Sequence, residues 1–149
     1  MIIREANAAD AAALKVLYFE HLTKYPPKEE QDMARWGALI EKHARDENMY
    51  LLVAEADGEV VATLQLTIIE GLTHNMRPFG VIESVVTHRD HEGRGYGSAL
   101  LDRASEIAAA RHCYKIMLAT GSNRERTLDF YRKNGFEVDG KHCCIKKMP

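Results

Sequence analysis

The stretch His91-Glu92-Gly93-Arg94-Gly95-Tyr96-Gly97-Ser98-Ala99-Leu100-Leu101 places three alternating glycines between two different patterns. Before it, Val81, Ile82, Val85 and Val86 are β-branched and read as a buried strand. After it, Leu100, Leu101, Ala104, Ile107 and Ala108 recur on one face at helical spacing. The glycines therefore occupy a strand-to-helix turn. The first N–H groups of a helix lack intrahelical partners, and they lie at the positive end of its dipole. Glycine lets a ligand approach that backbone closely, so the turn suits a phosphate or pyrophosphate. No Lys-Ser or Lys-Thr follows, as a nucleotidase loop requires. The spacing is G-x-G-x-G, not the G-x-G-x-x-G of a dinucleotide fold. An isolated glycine cluster would only let strand and helix pack; the elements on both sides favour an anion.

With 149 residues, the chain suits one domain, 1–149. A formal net charge of −2 and no long basic run argue against nucleic acid. No apolar run approaches a membrane span, and no basic-then-apolar leader opens the sequence, so the expected location is cytoplasmic. Cys113, Cys143 and Cys144 make an odd set in no metal spacing, so they are read as reduced packing residues and no metal is expected. The histidines His21, His43, His88, His91, His112 and His142 show no ligand spacing and receive no role.

The remaining pattern is that of a mixed sheet with helices on its faces. Met1 to Glu5 reads as a strand, and Asn7 as an N-cap with Asp10 three residues on. Helices are predicted over the stripe Ala13 to Leu22, ended by Pro26-Pro27, and over Glu29 to Arg45. Tyr50 to Ala56 and Glu59 to Ile69 flank Asp57-Gly58, a strong hairpin signal. Glu70 to Gly80 reads as a loop, followed by a strand over Val81 to Thr87 and a helix to Arg111. Then come a strand at Tyr114–Ala119, a turn Thr120–Asn123, a helix Glu125–Lys133 capped by Gly135, and last strands at Phe136–Val138 and His142–Lys147.

The glycine turn, the Asn123 turn and Asp129-Phe130-Tyr131-Arg132-Lys133-Asn134-Gly135-Phe136 together resemble the GNAT superfamily of acyl-CoA-dependent N-acetyltransferases. That resemblance implies a mixed, mostly antiparallel twisted α/β sheet of about six to seven strands flanked by about four helices. It implies acetyl-CoA as cosubstrate, a small-molecule primary amine as acceptor, and a homodimer as a common assembly. Val85, Val86 and Thr87 would pair with the pantetheine arm. Gly93, Arg94, Gly95, Tyr96, Gly97 and Ser98 would cradle the pyrophosphate, Asn123 would face pantetheine or thiol, and Lys133 would reach a phosphate. Glu92 departs from the family's Gln or Arg at that position, and Arg94 is the nearest replacement charge.

Acetyl transfer needs a neutral amine, and an alkylammonium with a pKa of roughly 10.4 must first lose a proton. Glu83, among Ile82, Val85 and Val86, is the candidate base, its carboxyl expected to be desolvated by those neighbours. Tyr131 is the candidate acid for the leaving thiolate. Locally, Gly80 to Glu83 and Cys113 to Ile116 resemble glucosamine-6-phosphate N-acetyltransferases, and Leu72 to Asn75 resembles aminoalkylphosphonate N-acetyltransferases. Those resemblances make His74 and Arg77 candidates for a substrate phosphate. Two alternatives stand beside this reading: an acetyltransferase for protein N-termini or lysines, and a non-catalytic module that senses acyl-CoA.

Overall fold

A computed structural model describes all 149 residues. The chain divides into two compact units, Met1–Met117 and Leu118–Pro149.

The first unit is built on a five-stranded sheet in the order β1-β2-β3-β4-β5. Its strands are β1 (Ile2–Glu5), β2 (Met49–Ala56), β3 (Glu59–Ile69), β4 (Phe79–Thr87) and β5 (Ile116–Leu118). The last residue of β5 opens the second unit. β1 through β4 pair antiparallel. Asp57 and Gly58 both take positive φ, 51° and 82°, as a two-residue type I′ hairpin demands. β4 and β5 are joined through α4 (Tyr96–Ala110). Their bonds, Tyr114 N to Pro78 O and Gly80 N to Lys115 O, advance together along both segments, so this pair is parallel.

Strand alternation divides the core. Leu51 and Val53 turn to one face, where they cluster with Ala6, Ala11, Leu14 and Ile40, and Tyr18 and Trp36 pack against them. Leu52, Leu64, Leu66 and Ile82 turn to the other face and are fully buried. There α4 brings its buried stripe of Leu100, Leu101, Ala104, Ile107 and Ala108.

The first helical stretch begins with a capping box. Asn7 accepts from Ala9 N, and Asp10 accepts from Asn7 N. A 3₁₀ turn, Ala8–Asp10, leads into α1 (Ala11–Val16), which widens into a π-helical turn at Leu17–Leu22. That turn closes with Thr23 N bonded to Tyr18 O, before the prolines are reached. α2 (Met33–Ala44) starts later than predicted because the Asp32 carboxylate caps Arg35 N at 3.2 Å. Arg4 grips Asp10 through two bonds of 2.8 Å and also reaches Glu55 at 2.9 Å. The guanidinium holds the nearly buried Asp10 carboxyl below its usual range. Between β3 and β4, where a plain loop was expected, lies the helical turn α3 (Thr73–Met76), with His74, Asn75 and Met76 all left-handed.

In the second unit, α5 (Glu125–Lys133) ends as the sequence anticipates. Gly135 takes φ 87°, Gly135 N bonds Arg132 O, and Phe136 N bonds Tyr131 O. This is a Schellman end, and its apolar contact is the Phe136 ring 5.8 Å from Tyr131. The predicted strands at Phe136–Val138 and His142–Lys147 do not form, so the sheet has five strands rather than six or seven. Phe136 is used by the helix end, and the alternating His142–Lys147 segment has no strand partner within the chain. Cys143 and Cys144 are accordingly exposed, not packed; all three cysteines are free.

Candidate active site

β4 loses its regular register just where the apolar run continues toward the glycines. Gln65 faces Glu83 and Thr63 faces Val86, so Ser84 and Val85 together oppose the single residue Leu64. This is a β-bulge. Ser84 carries it with φ 55°, an unusual value for a residue other than glycine, asparagine or aspartate. A bulge leaves one residue outside the ladder and bends the strand, so main-chain polar groups there are available to a ligand. β5 has three residues against the nine of β4, and their shared bonds lie at the Gly80 end. Three residues span roughly 10 Å, whereas Gly80 and Val85 are roughly 16 Å apart along the strand. The Val85–Thr87 end therefore extends past β5. Of these residues Val86 is buried, while Val85 and Thr87 are partly exposed.

A short 3₁₀ turn, Arg89–His91, leads into the glycine turn. Gly93 and Gly95 have φ 74° and 89°, and a Cβ at either would meet nothing within 4 Å. Backbone conformation, not crowding, demands glycine there. Gly95 is the N-cap of α4, with no side chain capping the helix and no acid in its first turn. The first intrahelical bond is Ala99 N to Gly95 O, at 3.0 Å. The amides of Tyr96, Gly97 and Ser98 precede it, and a fifteen-residue helix lies behind them. Glu92 and Arg94 are both exposed.

Glu83 is exposed on β4, so the dehydration expected from its apolar neighbours does not act on it here. Ile82 and Val86 are the buried members of that run. Across the strands, Leu51, Gln65 and Glu83 form one row on a single face of the sheet. Leu51 and Gln65 also line a cleft of about 650 Å³. Its other walls come from Leu14, Tyr18, Trp36 and Leu39, with Gln31, Asp32 and Arg35 at the entry to α2. In the sequence Tyr18 and Trp36 belong to the apolar stripes of their helices and Gln65 to the alternation of a strand, and none of the three stands out as part of a site. Nothing in the sequence marks a cleft formed by strands and helices distant along the chain.

Arg77 and His74 lie at the other end of β4. The Arg77 guanidinium donates to the carbonyls of His112 and Cys113, at 3.1 and 3.0 Å. The His74 ring stacks on Tyr114, with centroids 3.8 Å apart. Phe79, just beyond Arg77, is roughly 13 Å along the strand from Glu83.

Three histidines without a predicted role gather beside the glycine turn. His21 lies 4.1 Å from His88 by ring centroid, His88 lies 5.6 Å from His91, and His91 lies 6.0 Å from Tyr96 at the start of α4. Arg89 ties this loop to the π-helical turn through Glu20 O, at 3.2 Å. Burial, together with the nearby His88 and Arg89, pulls the His21 pKa down.

In the second unit, Asn123 is exposed in its turn. The neighbouring Ser122 closes the turn before α5: its hydroxyl accepts from Arg124 N and meets Thr127 Oγ1 at 3.1 Å. Tyr131 is buried, between Phe130 and Phe136, and that burial pushes its phenol pKa up. Lys133 is exposed. No group of His, Cys, Asp and Glu side chains is arranged to hold a metal ion.

The model of the acetyltransferase (GNAT) family matches residues 13–136, most of the chain. The protein belongs to the GNAT family of acetyltransferases. Glucosamine 6-phosphate N-acetyltransferase of Trypanosoma brucei brucei is 31% identical over 124 residues, covering 79% of this chain and 77% of that one. An L-methionine sulfoximine/L-methionine sulfone acetyltransferase of Pseudomonas aeruginosa is 27% identical over 147 residues, covering 93% and 81%. A candidate acetyltransferase of Agrobacterium tumefaciens str. C58 matches in structure with a TM-score of 0.87 and 33% identity, covering 99% of this chain and all of that one. The chain is thus an N-acetyltransferase of a family that uses acetyl-CoA.

Proposed function

We propose that the protein transfers an acetyl group from acetyl-CoA directly to a small-molecule primary amine, and that residues 1–149 work as one N-acetyltransferase domain. The observation that carries this reading is the β4 bulge at Ser84–Val85, which lies between an accessible carboxylate and an uncapped glycine-lined helix start. Gly93 to Ser98 bind the pyrophosphate through main-chain amides, helped by Arg94, and Val85 to Thr87 pair with the pantetheine arm. By the family resemblance, Asn123 is assigned to pantetheine and Lys133 to a phosphate. Glu83 takes a proton from the acceptor ammonium, directly or through water, and the neutral nitrogen attacks the thioester carbon. A bulge amide near Val85 stabilises the negative oxygen that forms. The carbon–sulfur bond then breaks, and the Tyr131 hydroxyl gives its proton to the thiolate. A phenol is protonated at neutral pH at its ordinary pKa of roughly 10, and burial raises that of Tyr131 further.

His74 and Arg77 receive no acceptor role in this reading, because their rings and N–H groups are engaged at the far end of β4. Calorimetry with acetyl-CoA, followed by CoA release with a panel of primary amines, tests the proposal. Binding and turnover support it. Absence of acetyl-CoA binding overturns it, and tight binding without turnover on any amine reassigns the protein as an acyl-CoA sensor.

A further inference from the structure

We infer that the acceptor is a primary amine carried on an aryl or bulky apolar arm, and that the arm is seated in the cleft walled by Tyr18 and Trp36. The inference rests on the acetyltransferase reading and adds the class of acceptor. Four observations lead to it.

First, the cleft has the size of a small-molecule site, about 650 Å³. Its body is apolar and aromatic: Leu14, Leu39, Leu51, Tyr18 and Trp36 line it. Second, several polar groups among these walls are engaged within the protein, while Arg35, Lys42 and His43 of α2 also line the cleft. The Trp36 indole N–H donates to the Gln31 amide oxygen at 3.3 Å, and the Asp32 carboxylate caps α2. The Tyr18 phenol is half-buried, and that burial raises its pKa. The apolar and aromatic body offers an incoming polyhydroxylated ring few partners, and burying hydroxyls unpaired is costly. An aryl arm needs none. Third, the polar group left at the floor is the Gln65 amide, and the next residue in its row is Glu83. Neighbouring strands are roughly 4.8 Å apart, so a short alkyl tether carries the amine from the cleft to the carboxylate. Fourth, Tyr18 lies in the π-helical turn, a local widening of the helix that is frequent at functional sites. Arg35 and Lys42 are exposed residues of α2 that share the lining with this apolar body.

Trp36 is the sole tryptophan, so its emission reports occupancy of the cleft without any need for turnover. Titration of the full chain with phenethylamine, whose phenyl ring is transparent at the red edge of indole absorption, is expected to change the Trp36 emission to saturation, and an emission that stays unchanged overturns the inference. Glucosamine 6-phosphate and spermidine are expected to leave the emission unchanged. In the CoA-release assay the arylalkylamine is expected to exceed both in kcat/KM by at least tenfold. Leu39→Arg, at a position already 53% exposed, places a charge in the cleft without touching the core. It is expected to raise KM for the arylalkylamine about tenfold while KM for acetyl-CoA stays the same. If acetyl-CoA binds and the amino sugar phosphate or spermidine is the better acceptor, the inference fails and the acetyltransferase reading stands. The inference also fails if Leu39→Arg leaves the arylalkylamine KM unchanged. If acetyl-CoA does not bind at all, the acetyltransferase reading itself falls.

Discussion

Gln65 on β3 and Glu83 on β4 face one another as the last regular pair before the strand bulges. Their side chains project from the same face of the sheet, and one of them also forms part of the cleft floor. A carboxylate in this place can accept a proton from an amine that lies over Gln65, whereas an amide cannot. Glu83→Gln keeps size and strand propensity close to the original. Its kcat is expected to fall by roughly a hundredfold or more, with the calorimetric affinity for acetyl-CoA unchanged. A variant with normal kcat would remove Glu83 from the chemistry.

Ser84 is the residue that makes the bulge, and it does so at φ 55°. A side chain in that region costs about 1 kcal/mol, and a β-branched one more. Ser84→Gly should therefore unfold at equal or slightly higher denaturant concentration and retain acetyl-CoA binding. Ser84→Val should favour the regular register and thereby withdraw the unpaired main-chain groups. Loss of acetyl-CoA affinity in Ser84→Val with retention in Ser84→Gly is the expected pair of results.

The parts of the structure legible in the sequence are those encoded over a few neighbouring residues. Asn7 with Asp10, Asp57 with Gly58, and Asn134-Gly135-Phe136 each carry their own hydrogen-bond solution, and each appears where local chemistry puts it. The glycine turn is legible for the same reason: positive φ at Gly93 and Gly95 leaves few alternatives. The bulge is not, because Ser84 is an ordinary strand residue until its pairing with β3 is known. The cleft is not, because Leu14, Trp36, Leu51 and Gln65 meet only in the folded unit. The last two strands fail in the opposite direction. Alternation permits a strand at His142–Lys147, but a strand exists only where another offers its edge.

Arg4 and Asp10 show how much one local motif can carry. The carboxylate caps the first helical turn and accepts two N–H bonds from a guanidinium that also reaches β2 through Glu55. Asp10→Asn weakens the hold on a half-buried guanidinium that Glu55 still engages. A destabilisation of about 2 kcal/mol is expected in urea unfolding. Because the folded pKa of Asp10 lies below its unfolded value of 3.8, its contribution is present above that pH. It is lost as the pH falls through the folded pKa. The variant should therefore differ from the parent at pH 6 and converge toward it in strong acid.

Tyr131 lies in the second unit, with its phenol in an aromatic setting that raises its pKa. Tyr131→Phe keeps the ring contacts that close the Schellman end and removes only the hydroxyl. The expected result is a kcat lower by roughly a hundredfold, with KM for acetyl-CoA changed far less. An unchanged kcat would leave Tyr131 as a packing residue.

His21 supplies a pH dependence of a different kind. Its ring lies tilted against His88, and Arg89 N donates to its Nδ1 at 3.4 Å, an arrangement that suits the neutral imidazole. Burial, His88 and Arg89 lower its folded pKa below the unfolded 6.5, against the weaker opposite pull of Glu20 and Asp90. The unfolded chain thus binds a proton more readily, and stability rises with pH across this window. Above 6.5 the neutral ring costs nothing; as the pH falls below 6.5 toward the folded pKa, stability declines. His88 and His91 stand next in the row and lead to Tyr96. His21→Phe should flatten the stability profile just below pH 6.5, while the acid loss due to Asp10 below 3.8 stays in place. Urea midpoints measured at half-unit pH steps provide the check, and a parent profile already flat across that range would rule the coupling out.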